Sequence, residues 1–220
     1  MKTVDKSNTI EDYVTRFEMD SFLNQDLLDA LEHFQFPIYS HIYMEQDVQH
    51  YLYFLVEGQV LCSHYRLDGE LAVFAISKPL TVIGEFEIFR QERVKSTVIA
   101  SESTTMLGIR RDLINRYGEN DVQFLHFLLN QTRQKLFASN MLLQNQTLPV
   151  INRFAVYMLA HMSEGQSTTL PDKDVLASLL GTTVRHLNRV LKKLVEDGAI
   201  SDTYPRITIL NYEAIEELIL

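Results

Sequence analysis

The stretch DKDVLASLLGTTVRHLNRVLKKLVEDG, Asp172 to Gly198, decides the reading of this chain. Asp172 stands where it can cap a first helix, and Asp174 falls in the first turn, where negative charge is favoured by the helix dipole. Leu176, Leu179 and Leu180 supply an apolar face, and Ala177 is small enough for a second helix to cross closely. Gly181 permits the positive φ that ends the first helix after one more residue, and Thr183 then caps the next. A helix, a glycine turn and a helix at this spacing form the supersecondary unit that enters a DNA groove.

In the second helix Leu187, Leu191 and Leu194 fall on one face at i, i+4 and i+7 and are predicted to be buried. The opposite side presents Val184, Arg185, Asn188, Arg189 and Lys192. Near the helix start Arg185 can pair with guanine O6 and N7, Asn188 suits adenine, and Val184 can touch a thymine methyl. Thr183, Arg189, Lys192 and Lys193 are placed for phosphates, which position without specifying. An ordinary helical hairpin with a solvated basic face would carry the same pattern. The residues beyond it favour DNA: Gly198 closes the helix, and Ile200-Ser201-Asp202 leads through Thr203-Tyr204-Pro205-Arg206 into an alternating Ile207 to Leu210. That pattern predicts a short β-hairpin wing with Arg206 available for phosphate.

Upstream, Pro149 to Met162 reads as a helix carrying Ile151, Phe154, Ala155, Met158 and Leu159, ended before Ser163-Glu164-Gly165. Asn145 to Pro149 reads as a hinge. Before it lies a long helix, with Asn120 as N-cap and Gln123 three residues on. Leu125, Leu129, Thr132, Leu136, Ser139 and Leu143 recur at alternating steps of four and three, the seam of a two-helix contact. About 24 residues make a rod of roughly 36 Å. Two uses fit it: the dimer helix of a homodimer, or a core helix packed on its own β domain. From Phe36 to Ile109 the texture is β-rich, in the runs Tyr51–Val56, Val60–Tyr65, Leu71–Ile76 and Thr97–Ile99. Turn signals separate them at Glu57-Gly58, Leu67-Asp68-Gly69 and Lys78-Pro79, so a barrel or sandwich is expected. Ser21 to Phe34 reads as one amphipathic helix.

The chain of 220 residues is 46% hydrophobic and 22% charged, which is globular composition. Its net charge of −9 opposes nucleic-acid binding only as a total, because Thr183 to Lys193 holds four basic residues and no acid. Cys62 is the single cysteine, which leaves neither a disulfide nor the thiolates of an iron–sulfur cluster. The seven histidines show no ligand spacing, so no metal or cofactor is expected. With no signal-peptide pattern and no apolar run long enough for a membrane span, a cytoplasmic protein is expected. A Gly-rich phosphate loop, a paired-His zinc motif and a nucleophile elbow are all lacking, which argues against an enzyme.

In this order the parts resemble the Crp/Fnr superfamily, the cyclic-AMP receptor protein and fumarate–nitrate regulator group, over residues 20–215. The resemblance is carried by LYFLVEGQV (Leu52–Val60), IGEFEIF with KSTVIA (Ile83–Phe89, Lys95–Ala100), and LLGTTVRHLNRVLKKL with ITILN. NQTLPVINRFAVYMLA, with RHL in the reading helix, resembles the YeiL-like branch. The resemblance implies an α+β chain: a β-roll sensor (cupin-like, cyclic-nucleotide-binding-like) over 1–118, a central dimerisation helix and hinge over 119–146, and a winged helix-turn-helix over 147–220. It implies a homodimeric regulator of transcription on palindromic double-stranded DNA, and RNA polymerase is a further partner it allows. A β-roll module acting on a protein partner is the alternative.

In the cyclic-nucleotide-binding members an IGE loop and an Arg-Ser pair hold ribose and cyclic phosphate. Here Gly84, Glu85 and Ser96 match, but Lys95 replaces the arginine and lacks its bidentate fork. Glu87 stands where a small residue is usual and would repel the phosphate. The adenine-contacting Thr-Ser of the long helix appears as Ala138-Ser139. Three departures at one site argue against cyclic AMP and leave the effector unidentified.

Overall fold

Tyr51–Glu57 (β3) is apolar at almost every position, the pattern of a strand covered on both faces. Its alternation sorts the side chains into two cores. Leu52, Phe54 and Val56 join Phe22, Leu27, Ile114, Phe124 and Leu128 on the helix side. Tyr53 and Leu55 join Tyr43, Val60, Ile83, Val98 and Met106 on the other. The computed structural model describes residues 8–219 except 66–70, 91, 146 and 163–166. The expected turn at Leu67-Asp68-Gly69 and the helix stop at Ser163-Glu164-Gly165 lie outside the described residues, as does Gln146 of the hinge.

The chain divides into two compact units, Met1–Phe137 and Ala138–Leu220. In the first, β1 (Glu32–Phe36), β8 (Thr104–Arg110), β3 and β6 (Thr81–Ile83) form an antiparallel sheet in that order. A second antiparallel sheet runs β2 (His41–Tyr43), β7 (Thr97–Ala100), β4 (Val60–Tyr65) and β5 (Leu71–Ser77). The core around Tyr53 and Leu55 fills the space between these sheets, so the expected β-roll is what the structure shows.

The single helix expected over Ser21–Phe34 is not formed. After α1 (Ile10–Arg16) and a 3-10 turn, Asn24 accepts a bond from the Leu27 amide at 3.0 Å and starts α2, Gln25–Asp29, which ends at Ala30. Glu32–Phe36 instead pairs with β8, so the β region opens before Phe36. Of the helically spaced Phe22, Leu23, Leu27, Leu28 and Leu31, all are buried except Leu28, which is half-buried, but the cap and the strand pairing break the helix.

After a short helical segment, α3 (Arg111–Leu113), comes the long helix α4, Val122–Asn145. Its cap is Asp121 rather than Asn120: the Asp121 carboxylate accepts from the amides of Gln123 at 2.9 Å and Phe124 at 3.1 Å. One face of α4 enters the sensor core through Phe124 and Leu128, with Phe127 stacked on Phe22 at 3.7 Å. Of the expected seam, Leu129 is 65% and Leu136 60% exposed, Leu125 and Thr132 are half-buried, and Ser139 is exposed. The Leu143 side chain lies outside the described residues. Both readings of the helix thus find a face: one packs on its own β domain, the other is left bare.

In the second unit α5 (Val150–His161), α6 (Lys173–Leu179), α7 (Val184–Glu196) and α8 (Tyr212–Glu216) surround one core that includes Phe154, Met158, Leu176, Leu187 and Ile207. A two-stranded sheet of β9 (Ser167–Thr169) and β10 (Arg206–Thr208) edges it.

Candidate DNA-reading surface and effector loop

Gly181 adopts φ +58°, a conformation that L side chains rarely take, and it turns the chain between α6 and α7. The Thr182 amide donates to the Ala177 carbonyl at 2.9 Å, closing the end of α6. Thr183 then caps α7 through its hydroxyl, which accepts from the His186 amide at 3.3 Å. At the other helix start, Asp172 holds the cap position, but its side chain makes no capping bond.

On α7 the expected Leu187, Leu191 and Leu194 are buried, and Val190 joins them. Thr183, Arg185, Asn188, Arg189, Lys192 and Lys193 lie on the outer side, and all six are exposed. Val184 packs against the core, so it offers less surface than its neighbours. Lys192 pairs with Glu196 at 3.5 Å; among the described residues no carboxylate pairs with Arg185, Arg189, Lys193 or Arg206. An uncompensated basic face on a helix held from behind by four apolar side chains is what phosphate and base-edge contact require.

The wing differs from the simple hairpin expected between Ile200–Asp202 and Ile207–Leu210. Arg206–Thr208 pairs with Ser167–Thr169, and the expected partner contributes a single bridge, Ile200 to Ile209. Ser201 supports that bridge by donating from its amide to the Thr208 carbonyl at 3.0 Å. Ser167-Thr168-Thr169 shows no apolar alternation, so only the β tendency of threonine could have signalled it. Tyr204 anchors the turn: its hydroxyl donates to the Pro171 carbonyl, and the Lys173 ammonium sits 4.8 Å from its ring centre. Arg206 is exposed at the edge.

In the first unit the loop after β6 carries Gly84, Glu85 and Glu87. Gly84 has φ +96°, and a Cβ there would collide with Gln49 Nε2, which donates to the Gly84 carbonyl at 2.6 Å. Glu85 is buried, and its Oε1 accepts from Lys135 Nζ of α4 at 2.7 Å. Lys135 donates also to the Val82 carbonyl. Glu87 is buried and accepts from the Lys95 amide at 3.2 Å. Burial, with the nearby Glu85 charge adding to it, pushes the Glu87 carboxyl above its ordinary range. The Lys95 ammonium is exposed and lies 3.6 Å from Glu92, Ser96 is half-buried, and Ser139 is exposed on α4. Burial likewise pushes the Cys62 thiol up, away from a reactive thiolate. Lys135 and Gln49 were not foreseen from sequence, because a lone lysine and a lone glutamine carry no motif.

Residues 34–121 match the cyclic nucleotide-binding domain, and residues 152–218 match the Crp-like helix-turn-helix domain. The regulatory protein YeiL of Escherichia coli O157:H7 is 24% identical over 188 residues, 85% of each chain. The cyclic AMP receptor protein of Thermus thermophilus is 25% identical over 179 residues, 78% of this chain and 82% of that one. Among solved structures, FixK2 from Bradyrhizobium japonicum superposes with a TM-score of 0.75 at 20% identity, covering 86% of this chain and 98% of its own. A β-roll of the cyclic nucleotide-binding kind joined to a winged reader of DNA defines a DNA-binding transcription regulator. The chain belongs to the Crp/Fnr superfamily. Among the described residues no helix is long and apolar enough to cross a membrane.

Proposed function

We propose that this chain acts in the cytoplasm, without catalysis, as a homodimer that reads palindromic double-stranded DNA and presents it to RNA polymerase. The sensor spans 1–118, the dimer helix and hinge 119–146, and the reader 147–220. The observation that carries this is the sorting of α7, with Leu187, Val190, Leu191 and Leu194 inward and Arg185, Asn188, Arg189, Lys192 and Lys193 outward. Arg185 and Asn188 read base edges, and Thr183, Arg189, Lys192, Lys193 and Arg206 position the backbone. The bare stripe of Leu129 and Leu136 supports pairing of two α4 helices.

The β-roll senses something other than cyclic AMP. Glu85, which the ribose would need, is held by Lys135; Glu87 is buried beside it; and Lys95 offers no fork. Gel shifts of the purified protein with genomic fragments test the reading, followed by footprinting of the retained DNA. Two protected half-sites about 34–36 Å apart, one helical turn, are expected. If no fragment is retained over bulk DNA, the β-roll acts on a protein partner instead.

A further inference from the structure

On the first unit a groove of about 990 Å³ opens beside the loop Gln49–Tyr51, with Phe89, Arg93, Arg110 and Arg111 along it. Its charges do not cancel. Arg110 is neutralised by a two-bond pair with Asp112, at 2.8 and 3.1 Å. Glu92, the other acid on the wall, is shared by Arg90 at 3.8 Å and Lys95 at 3.6 Å. Arg93 and Arg111 have no carboxylate partner among the described residues. Each guanidinium is instead pinned by a backbone carbonyl: Arg93 donates to Gln46 at 2.9 Å, and Arg111 to Arg90. A guanidinium has five N–H donors, so both keep most of theirs free, in positions already fixed.

We propose that this groove is a second effector site, for a small organic anion of two or more charges, phosphate- or carboxylate-bearing. Two anchored, unneutralised arginines in a chain of net charge −9 select for anions by forked pairing, and the half-exposed Phe89 supplies an apolar wall for the organic body. The site lies outside the Gly84–Glu87 loop but touches it through one residue. Gln49 lines the groove and, fully buried, holds the Gly84 carbonyl at 2.6 Å. The residue after Gly84, Glu85, is bonded to Lys135 of α4. An anion in the groove therefore acts one side chain away from the loop that grips the long helix. The site belongs to this unit alone and stands whether or not the DNA reading holds.

The test uses the full-length protein with phenyl phosphate, citrate and inorganic pyrophosphate as probes, followed by calorimetry and hydrogen exchange. The wild type is expected to bind at least one probe saturably, with slower exchange over 46–51, 89–94 and 110–115 and a change at 83–87. R93Q/R111Q is expected to weaken binding by about tenfold or more while melting normally, as two charge-assisted bonds disappear. R116Q, which removes an exposed charge outside the groove, is expected to bind as the wild type does. Absence of saturable binding, equal weakening in R116Q, or undiminished binding in R93Q/R111Q overturns the site. Binding without any change at 83–87 overturns its link to the loop.

Discussion

Lys135 Nζ lies 2.7 Å from Glu85 Oε1, so the middle of α4 is fastened to the loop after β6 by a charge pair whose acid end is almost wholly buried. Removing the cation alone leaves that carboxylate without a counter-charge. K135M should therefore destabilise the first unit by about 3 kcal/mol, the low end for a broken buried pair, because the lysine itself keeps some solvent. The double variant E85Q/K135M should recover most of that stability. Urea titrations of the three proteins check both, and an additive double variant would show that the pair contributes nothing beyond its parts.

Glu87 sets a pH dependence. Burial raises its carboxyl, so its contribution to stability is fully present below the ordinary carboxylate range and is lost as pH rises through the raised value. The groups facing it are Glu85, which strengthens the shift, the Lys95 amide and ammonium and the backbone amide of Glu87 itself, which oppose it, and the Tyr43 hydroxyl. Glu87→Gln keeps an acceptor for the Lys95 amide without the charge. The melting temperature of E87Q minus that of the wild type should thus grow from about pH 4 to about pH 8. A constant or shrinking gap would mean that Glu87 is not protonated preferentially in the fold.

The stripe on α4 bears on assembly. Leu129→Glu with Leu136→Glu places charges where two helices would meet, and leaves the inward Phe124 and Leu128 untouched. Light scattering should fall from about twice the chain mass to 25.5 kDa, with helix content retained. An unchanged mass would place any dimer contact elsewhere.

On the proposed reading, the outer side of α7 separates specificity from affinity. Arg185→Ala should relax sequence preference and cost about 1–3 kcal/mol on the cognate site. Lys192→Ala should weaken cognate and random DNA alike, and reduce the salt slope by about one for each phosphate that a half-site no longer has neutralised. Titrations on both DNAs at several salt concentrations distinguish the two. Equal action of both variants on both DNAs would make Arg185 a phosphate contact.

Legibility in the sequence followed the range of the interactions involved. The turn at Gly181, the Thr183 cap and the buried face of α7 depend on residues within a turn or two of one another, and each is found as the spacing predicts. The strands β3 and β4 were similarly plain, because an apolar run bounded by turns has few other uses. Failure came where distant partners decide. Glu32–Phe36 is a strand only because β8 is there to pair with it, and Ser167–Thr169 only because β10 is. The grip of Lys135 on Glu85 joins residues 50 apart, and nothing local announces it.

The sorting of α7 has a consequence for how such a regulator changes over time. Apart from Val184, which does both, the side chains that hold the helix to its core and those that face outward share no position, and Arg185 and Asn188 are exposed. On the proposed reading, substitution at Arg185 or Asn188 would alter which bases are preferred and leave the fold as stable as before, since surface changes away from caps and cores cost little. Target sites can drift, and the regulator can follow them one side chain at a time, without passing through an unfolded ancestor.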